Sequence, residues 1–203
     1  GRAGDAVQVS SVHVVPATKT VGPVTFKENT TQSNFEYVDQ NKWWAQYVKP
    51  DFPADTVEWQ VSGFEVMGGK SGSPNEVLLI KLYLPNAANM PDVQIDGLQA
   101  LERDFPGAAE WMQFQFTGNG GLDPTVGVCV AMECTTKGAA AFFHYRTSGD
   151  TDPNSELILG SQTGGWTSVQ PGGALMFRLH GTYTIATGGL KASSGTWTYD
   201  IYP

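Results

Sequence analysis

The stretch "EVLLIKLYL", residues 76–84, sets the reading of the whole chain. After Glu76 it is apolar at both odd and even positions except for Lys81, and Pro85 stops it. Eight or nine such residues are too few for a membrane-spanning helix, which needs about 20, and suit a strand covered on both faces. We therefore expect a central β-strand here. Outward from it, period-2 alternation recurs along the chain, as half-buried strands require. "VQVSSVHVV" (7–15), "PVTFKE" (23–28) and "TVEWQV" (56–61) come before it. "WMQFQF" (111–116), "TVGVCVAM" (125–132), "AAFFHYRT" (140–147), "ELILG" (156–160), "GALMFRLHGTYTIAT" (173–187) and "TWTYDIY" (196–202) follow. Ser62-Gly63 interrupts one run and reads as a bulge. Trp59, Trp111 and Trp197 obey the alternation and are expected in the core.

Two segments depart from this pattern. "NKWWAQYVK" (41–49) spaces Trp43, Trp44, Tyr47 and Val48 as a short helix would. "DGLQALERDF" (96–105) offers Asp96 as an N-cap, Gln99 three residues on, and Leu98, Leu101 and Phe105 on one face. These predict one or two short helices in connections. Ten to twelve short strands with turn-rich joints then give an all-β, antiparallel two-sheet sandwich, jelly-roll-like in type. Residues 1–6 read as a linker and 7–203 as a single domain, without internal repeats.

The chain has 203 residues, with 24 Gly and 12 Pro, which is the turn content of a β-rich domain. Its formal net charge is −8, and its twelve Lys and Arg are scattered singly, so no nucleic-acid surface is expected. No apolar run is long enough for insertion into a membrane as a helix. Cys129 and Cys134 are five apart with no turn signal between them, which puts them on opposite faces of a strand as free thiols. A glycosylation triplet, Asn29-Thr30-Thr31, is present.

Candidate chemistry is sparse. "GDTDPNSE" (149–156) places Asp150, Asp152, Asn154 and Glu156 at alternate positions, as oxygen ligands for calcium would be. An EF-hand loop would then require Gly at the sixth position and Glu at the twelfth, where Ser155 and Ser161 stand. A plain turn is therefore the first reading and calcium the second; no other cofactor is expected. His144 with Arg146, and Arg178 with His180, would make a cationic patch only if their strands were neighbours. No G-x-S-x-G and no zinc spacing occurs. Trp166, in the loop-like "SQTGGWTSVQPGG", and Trp43 and Trp44 are the candidate binding residues, able to stack on a sugar or anchor a protein.

The linker-like "GRAGD", the dense short strands, loops such as "SQTGGWTSVQPGG" and the ending "SGTWTYDIYP" carry a family resemblance. The chain resembles a projection, or spike, domain of the capsid protein of a small non-enveloped RNA virus. That resemblance implies a non-enzymatic sandwich on the virion surface that forms homo-oligomers and engages a host receptor or glycan, with no catalytic residues to carry over. The alternative is a secreted carbohydrate-binding module or lectin-like sandwich, and a β-sandwich glycoside hydrolase stands third.

Overall fold

The computed structural model describes residues 7–72, 75–137 and 140–199, with side chains described between 17 and 188. Two antiparallel sheets face each other, and the expected all-β sandwich is the fold. The six-stranded sheet runs β11 (Gly165–Gln170), β10 (Ser155–Ser161), β3 (Trp43–Val48), β8 (Val128–Cys134), β5 (Val77–Pro85) and β6 (Pro91–Leu101). The seven-stranded sheet runs β1 (Val7–Asn29), β13 (Phe177–Tyr199), β4 (Thr56–Lys70), β9 (Ala141–Arg146) and β12 (Ala174–Leu175). In addition, β2 (Asn34–Tyr37) pairs with β9, and β7 (Glu110–Gln115) pairs with β4. Among the described residues no helix is long and apolar enough to cross a membrane.

The opening stretch is β5, held between β8 and β6. Leu78, Ile80 and Leu82 point inward and are fully buried, each contributing roughly 1.5–3 kcal/mol of apolar burial. Leu79, Lys81 and Tyr83 face outward and are only half-buried. The strand buried on both faces is instead its neighbour β8, all seven of whose residues are buried. Val128, Val130, Met132 and Cys134 enter the main core, while Cys129 and Ala131 lie in a smaller cluster on the outer face. Trp59, Val61, Phe64, Val66, Phe143 and Phe177 face them from the other sheet.

Both expected helices are strands. Trp43–Val48 is β3, paired with β8 and β10, so the adjacent indoles go to opposite faces. Two adjacent large residues imitate a helical face because both faces of this strand are covered, which erases the alternation. Residues 96–101 continue β6, and Leu98 and Ala100 sit opposite Ile80 and Leu78. Pairing with β5 overrides the local helical preference. Only Glu102–Asp104 coil, as a single 3₁₀ turn, and Asp96 caps no helix.

The expected bulge is present: His180 pairs with Gly63 and Gly181 with Val61, which leaves Ser62 as the extra residue. Trp59 is in the core, whereas Trp111 is half-buried beneath the Arg178 guanidinium, 4.1 Å from the ring centroid. The Trp197 side chain, and the linker at 1–6, lie outside the described residues.

One polar side chain spans the core. Gln46 is fully buried; its Oε1 accepts from the Leu175 amide of the opposite sheet at 2.8 Å. Its Nε2 donates to Ser155 Oγ at 3.1 Å and to the Tyr47 carbonyl at 3.0 Å. Full satisfaction is what makes a buried amide tolerable.

Candidate recognition surface

The outer face of the six-stranded sheet is built as a shallow shelf. Its floor is made of side chains that leave little relief: Ala45, Cys129, Ala131 and Ile158, all fully buried. Tyr47, Tyr83, Met90, Val169 and Trp166 stand around them. The turn at 86–90 folds onto this face. Asn86 Oδ1 accepts from the Ala88 and Met90 amides, and Asn89 adopts a φ of 60°, a left-handed conformation that Asn tolerates better than most residues. The carbonyl of Asn89 accepts the Cys129 thiol at 3.2 Å. Burial, with a lesser contribution from Glu156, pushes the Cys129 thiol far above its ordinary range.

Trp166 does not sit in a loop. It lies on β11, opposite Gly160 of β10, and a Cβ at Gly160 would come within 2.7 Å of the indole. The "ELILG" glycine thus makes the seat for the ring. Trp43 lies beside it, with ring centroids 5.7 Å apart, and both are half-buried. Trp43 Nε1 donates to the Cys134 carbonyl at 2.7 Å, which locks that ring. Among the described residues the Trp166 indole N–H makes no hydrogen bond within the protein. The structure therefore joins two of the three expected tryptophans. The third, Trp44, turns inward, 5% exposed, with its ring 4.7 Å from Tyr145 and its Nε1 lacking a partner. It lies at the bottom of a partly open pocket of about 200 Å³, with Leu157 beside it and the exposed Lys42–Glu36 ion pair at the mouth. Trp44 cannot serve the surface.

Farther along the same face, Glu133 is 3% exposed and accepts from Lys81 Nζ at 2.7 Å and the Tyr83 hydroxyl at 2.6 Å. Burial first, and then the Glu133 carboxylate, raise the Tyr83 phenol well above its usual value. The opposite sheet bears a second aromatic group on β2 and β9. Phe35 is 54% exposed and meets Phe142 edge-on at 5.4 Å, with Tyr37 and His144 beside them. Burial lowers the His144 pKa.

The acidic stretch forms successive turns. Asp150 Oδ1 accepts the Asp152 amide at 3.1 Å, and Asp152 Oδ1 accepts the Asn154 amide at 2.9 Å. Asp152 Oδ2 takes Lys27 Nζ at 2.5 Å, while Glu156 reaches Asn89 at 2.9 Å. Of the candidate calcium ligands Asp150, Asp152, Asn154 and Glu156, three thus have side-chain oxygens engaged within the protein, as a turn would have them. Among the described residues no group of three or more His, Cys, Asp or Glu is placed to hold a metal. Asn29 of the glycosylation triplet donates to the Leu175 carbonyl at 2.7 Å and the Thr31 carbonyl at 3.0 Å, and a glycan on Nδ2 would leave one N–H for the two.

The two His/Arg pairs stay apart, since β4 lies between β13 and β9. Arg178 instead meets Glu28 at 3.2 Å and Glu65 at 3.0 Å. His180 Nδ1 is 3.0 Å from Thr25 Oγ1, and its Nε2 is 3.4 Å from Glu65 Oε1. The partners of these carboxylates become visible only through long-range strand register. No protein-family model and no curated protein matches this chain.

Proposed function

We propose that this chain is a non-enzymatic recognition domain, a capsid surface projection that self-associates and attaches to a host through its outer sheet faces. The observation that carries this reading is the Trp43–Trp166 pair. Two half-open indoles rest on a rigid sheet, and one keeps an unspent N–H. Aromatic rings held on strands present large contact area at small entropic cost, as interface anchors do. The Phe35 group supplies a second, exposed apolar patch suited to contact with another copy. A net charge of −8 keeps a densely displayed surface soluble. Prominent ionisable groups are committed to one another, Lys81 with Glu133 and Arg178 with Glu28 and Glu65, which supports binding over bond-breaking.

Sedimentation equilibrium tests the reading. The wild-type domain should self-associate with rising concentration, and Phe35→Ser should shift it to monomer without lowering its melting temperature. A strict monomer at every concentration would count against it. The same indoles also favour a second reading, a secreted carbohydrate-binding module. That reading calls for retention on a polysaccharide column, lost on Trp166→Ala.

A further inference from the structure

The seven-stranded sheet carries a feature that the indole shelf does not use. Three irregularities gather where β1, β13 and β4 run side by side. The β1–β13 register shifts between Val21 and Val24 and again between Thr25 and Lys27, and Ser62 bulges from β4 at His180/Gly181. Gly22 turns the chain here with a φ of 116°, and a Cβ on it would stand 2.8 Å from the Gly181 carbonyl. Bulges bend strands and re-aim side chains, and they concentrate beside functional sites. Here they open a groove of about 560 Å³ on an otherwise continuous sheet face, within the roughly 300–1,000 Å³ of small-molecule sites.

Seven of the nine lining residues carry polar side chains, although carbon makes up most of the surface they expose. Thr25, Ser62 and Thr182 bring hydroxyls, and Gln113 and Gln115 bring amides from one face of β7. Among the described residues, the side chains of Ser62, Gln113, Gln115 and Thr182 make no hydrogen bond within the protein. His180 Nε2 is buried and lacks a well-directed partner, although Glu65 lies 3.4 Å away. At the wall Arg178 is gripped by both Glu28 and Glu65, so no guanidinium is left unpaired and one negative charge remains in excess. Only Pro23 and Val24 are apolar.

We propose that this groove binds a neutral saccharide of one or two rings. Each sugar hydroxyl donates and accepts, and amides and hydroxyls offer both functions within a small space. An apolar ligand would strand those groups unpaired. Among the described residues the groove offers an anion no unpaired Lys or Arg, since Arg178 is already matched. A peptide cannot add as a strand between β13 and β4, the groove's middle strands, because both are paired on both sides. The inference rests on the recognition reading but uses none of the residues of the indole shelf.

The test is a ¹⁵N NMR titration of the folded domain with the methyl glycosides of glucose, galactose, mannose and N-acetylglucosamine, and with a neutral tripeptide. At least one glycoside should shift the Gln113 and Gln115 side-chain amide signals saturably. Gln113→Ala should weaken that binding by about tenfold, the loss expected for a hydrogen-bonded contact, with the melting temperature unchanged. Trp166→Ala should leave the shifts in place even where it abolishes polysaccharide retention, which separates this site from the shelf. Silence from all four glycosides overturns the proposal. So does binding that survives the Gln113→Ala/Gln115→Ala double variant, or a tripeptide that shifts these signals where the glycosides do not.

Discussion

Replacing Asp96 with Ala should destabilise the domain far more than its partly exposed position suggests. Its Oδ1 accepts the Gly97 amide at 2.7 Å. Its Oδ2 accepts the Thr117 amide at 2.9 Å, the Gly118 amide at 2.7 Å and Asn119 Nδ2 at 3.2 Å. Asn119 is 3% exposed and also bonds both backbone groups of Val61, at 2.8 and 2.9 Å. One carboxylate on β6 thus holds the β7–β8 connection and, through Asn119, reaches β4 of the other sheet. Hydrogen bonds to a charged group contribute roughly 1.5–3 kcal/mol each, but water can take over the exposed amides, so we expect a total loss of about 2–4 kcal/mol. The pH dependence has a definite sign. Burial alone would raise the Asp96 pKa, yet the donors from Gly118, Asn119, Gly97 and Thr117 outweigh it and hold the value below normal. A lowered folded pKa gives stability that is present above the unfolded value of about 3.9 and drains away as pH falls through the folded value. Urea unfolding followed by tryptophan fluorescence should therefore show a wide gap between wild type and Asp96→Asn at neutral pH, narrowing below about pH 4. A loss on Asp96→Ala of under about 0.5 kcal/mol, or a gap that ignores pH, would refute the reasoning.

Lys81→Met should cost about 3 kcal/mol, because it strips the ammonium from a buried Glu133, and Lys81→Met/Glu133→Leu should recover most of the loss in the same urea assay. Equal stability of the single and double variants would contradict this account. Gly181→Ala should lower stability by more than about 3 kcal/mol, since its Cβ would collide with the Gln60 carbonyl of a paired strand; a wild-type melting temperature would show that the strands can part there. Neither Cys129 nor Cys134, both buried, should react with a thiol reagent until urea unfolds the domain, and a fast phase without denaturant would show otherwise.

The sandwich was legible because most strands expose one face, so Trp59 and Val61 alternate visibly and the Ser62-Gly63 bulge interrupts a clear rhythm. The thiols were legible for a different reason: five positions apart on one strand, Cys129 and Cys134 must face opposite ways whatever covers each face. Parity fails where both faces are covered. Trp43–Val48 then imitates a helix, and residues 96–101 did so because pairing with β5 outweighs a plausible capping pattern. Trp166 looked like a loop residue because its strand is short and follows two glycines. Its partner Trp43 was a candidate, but their contact depends on β10 lying between them, a fact of sheet order. The polar groove was out of reach for a related cause. Gln113, His180 and Thr25 are unremarkable singly, and only the staggered registers of three strands make them neighbours.

Gln46 has a mechanical consequence. A sandwich held by apolar contacts alone can slide by fractions of a residue at little expense, because such contacts have no preferred direction. The Gln46 amide removes that freedom: moving the layers past each other would break its bond to Leu175 and leave a bare carbonyl oxygen in the interior. The indole shelf and the polar groove lie on opposite outer surfaces, so this side chain, with the Asp96–Asn119 tie to Val61, works as a dowel between them. A ligand or partner large enough to clasp both surfaces would find them at a constant offset in every copy.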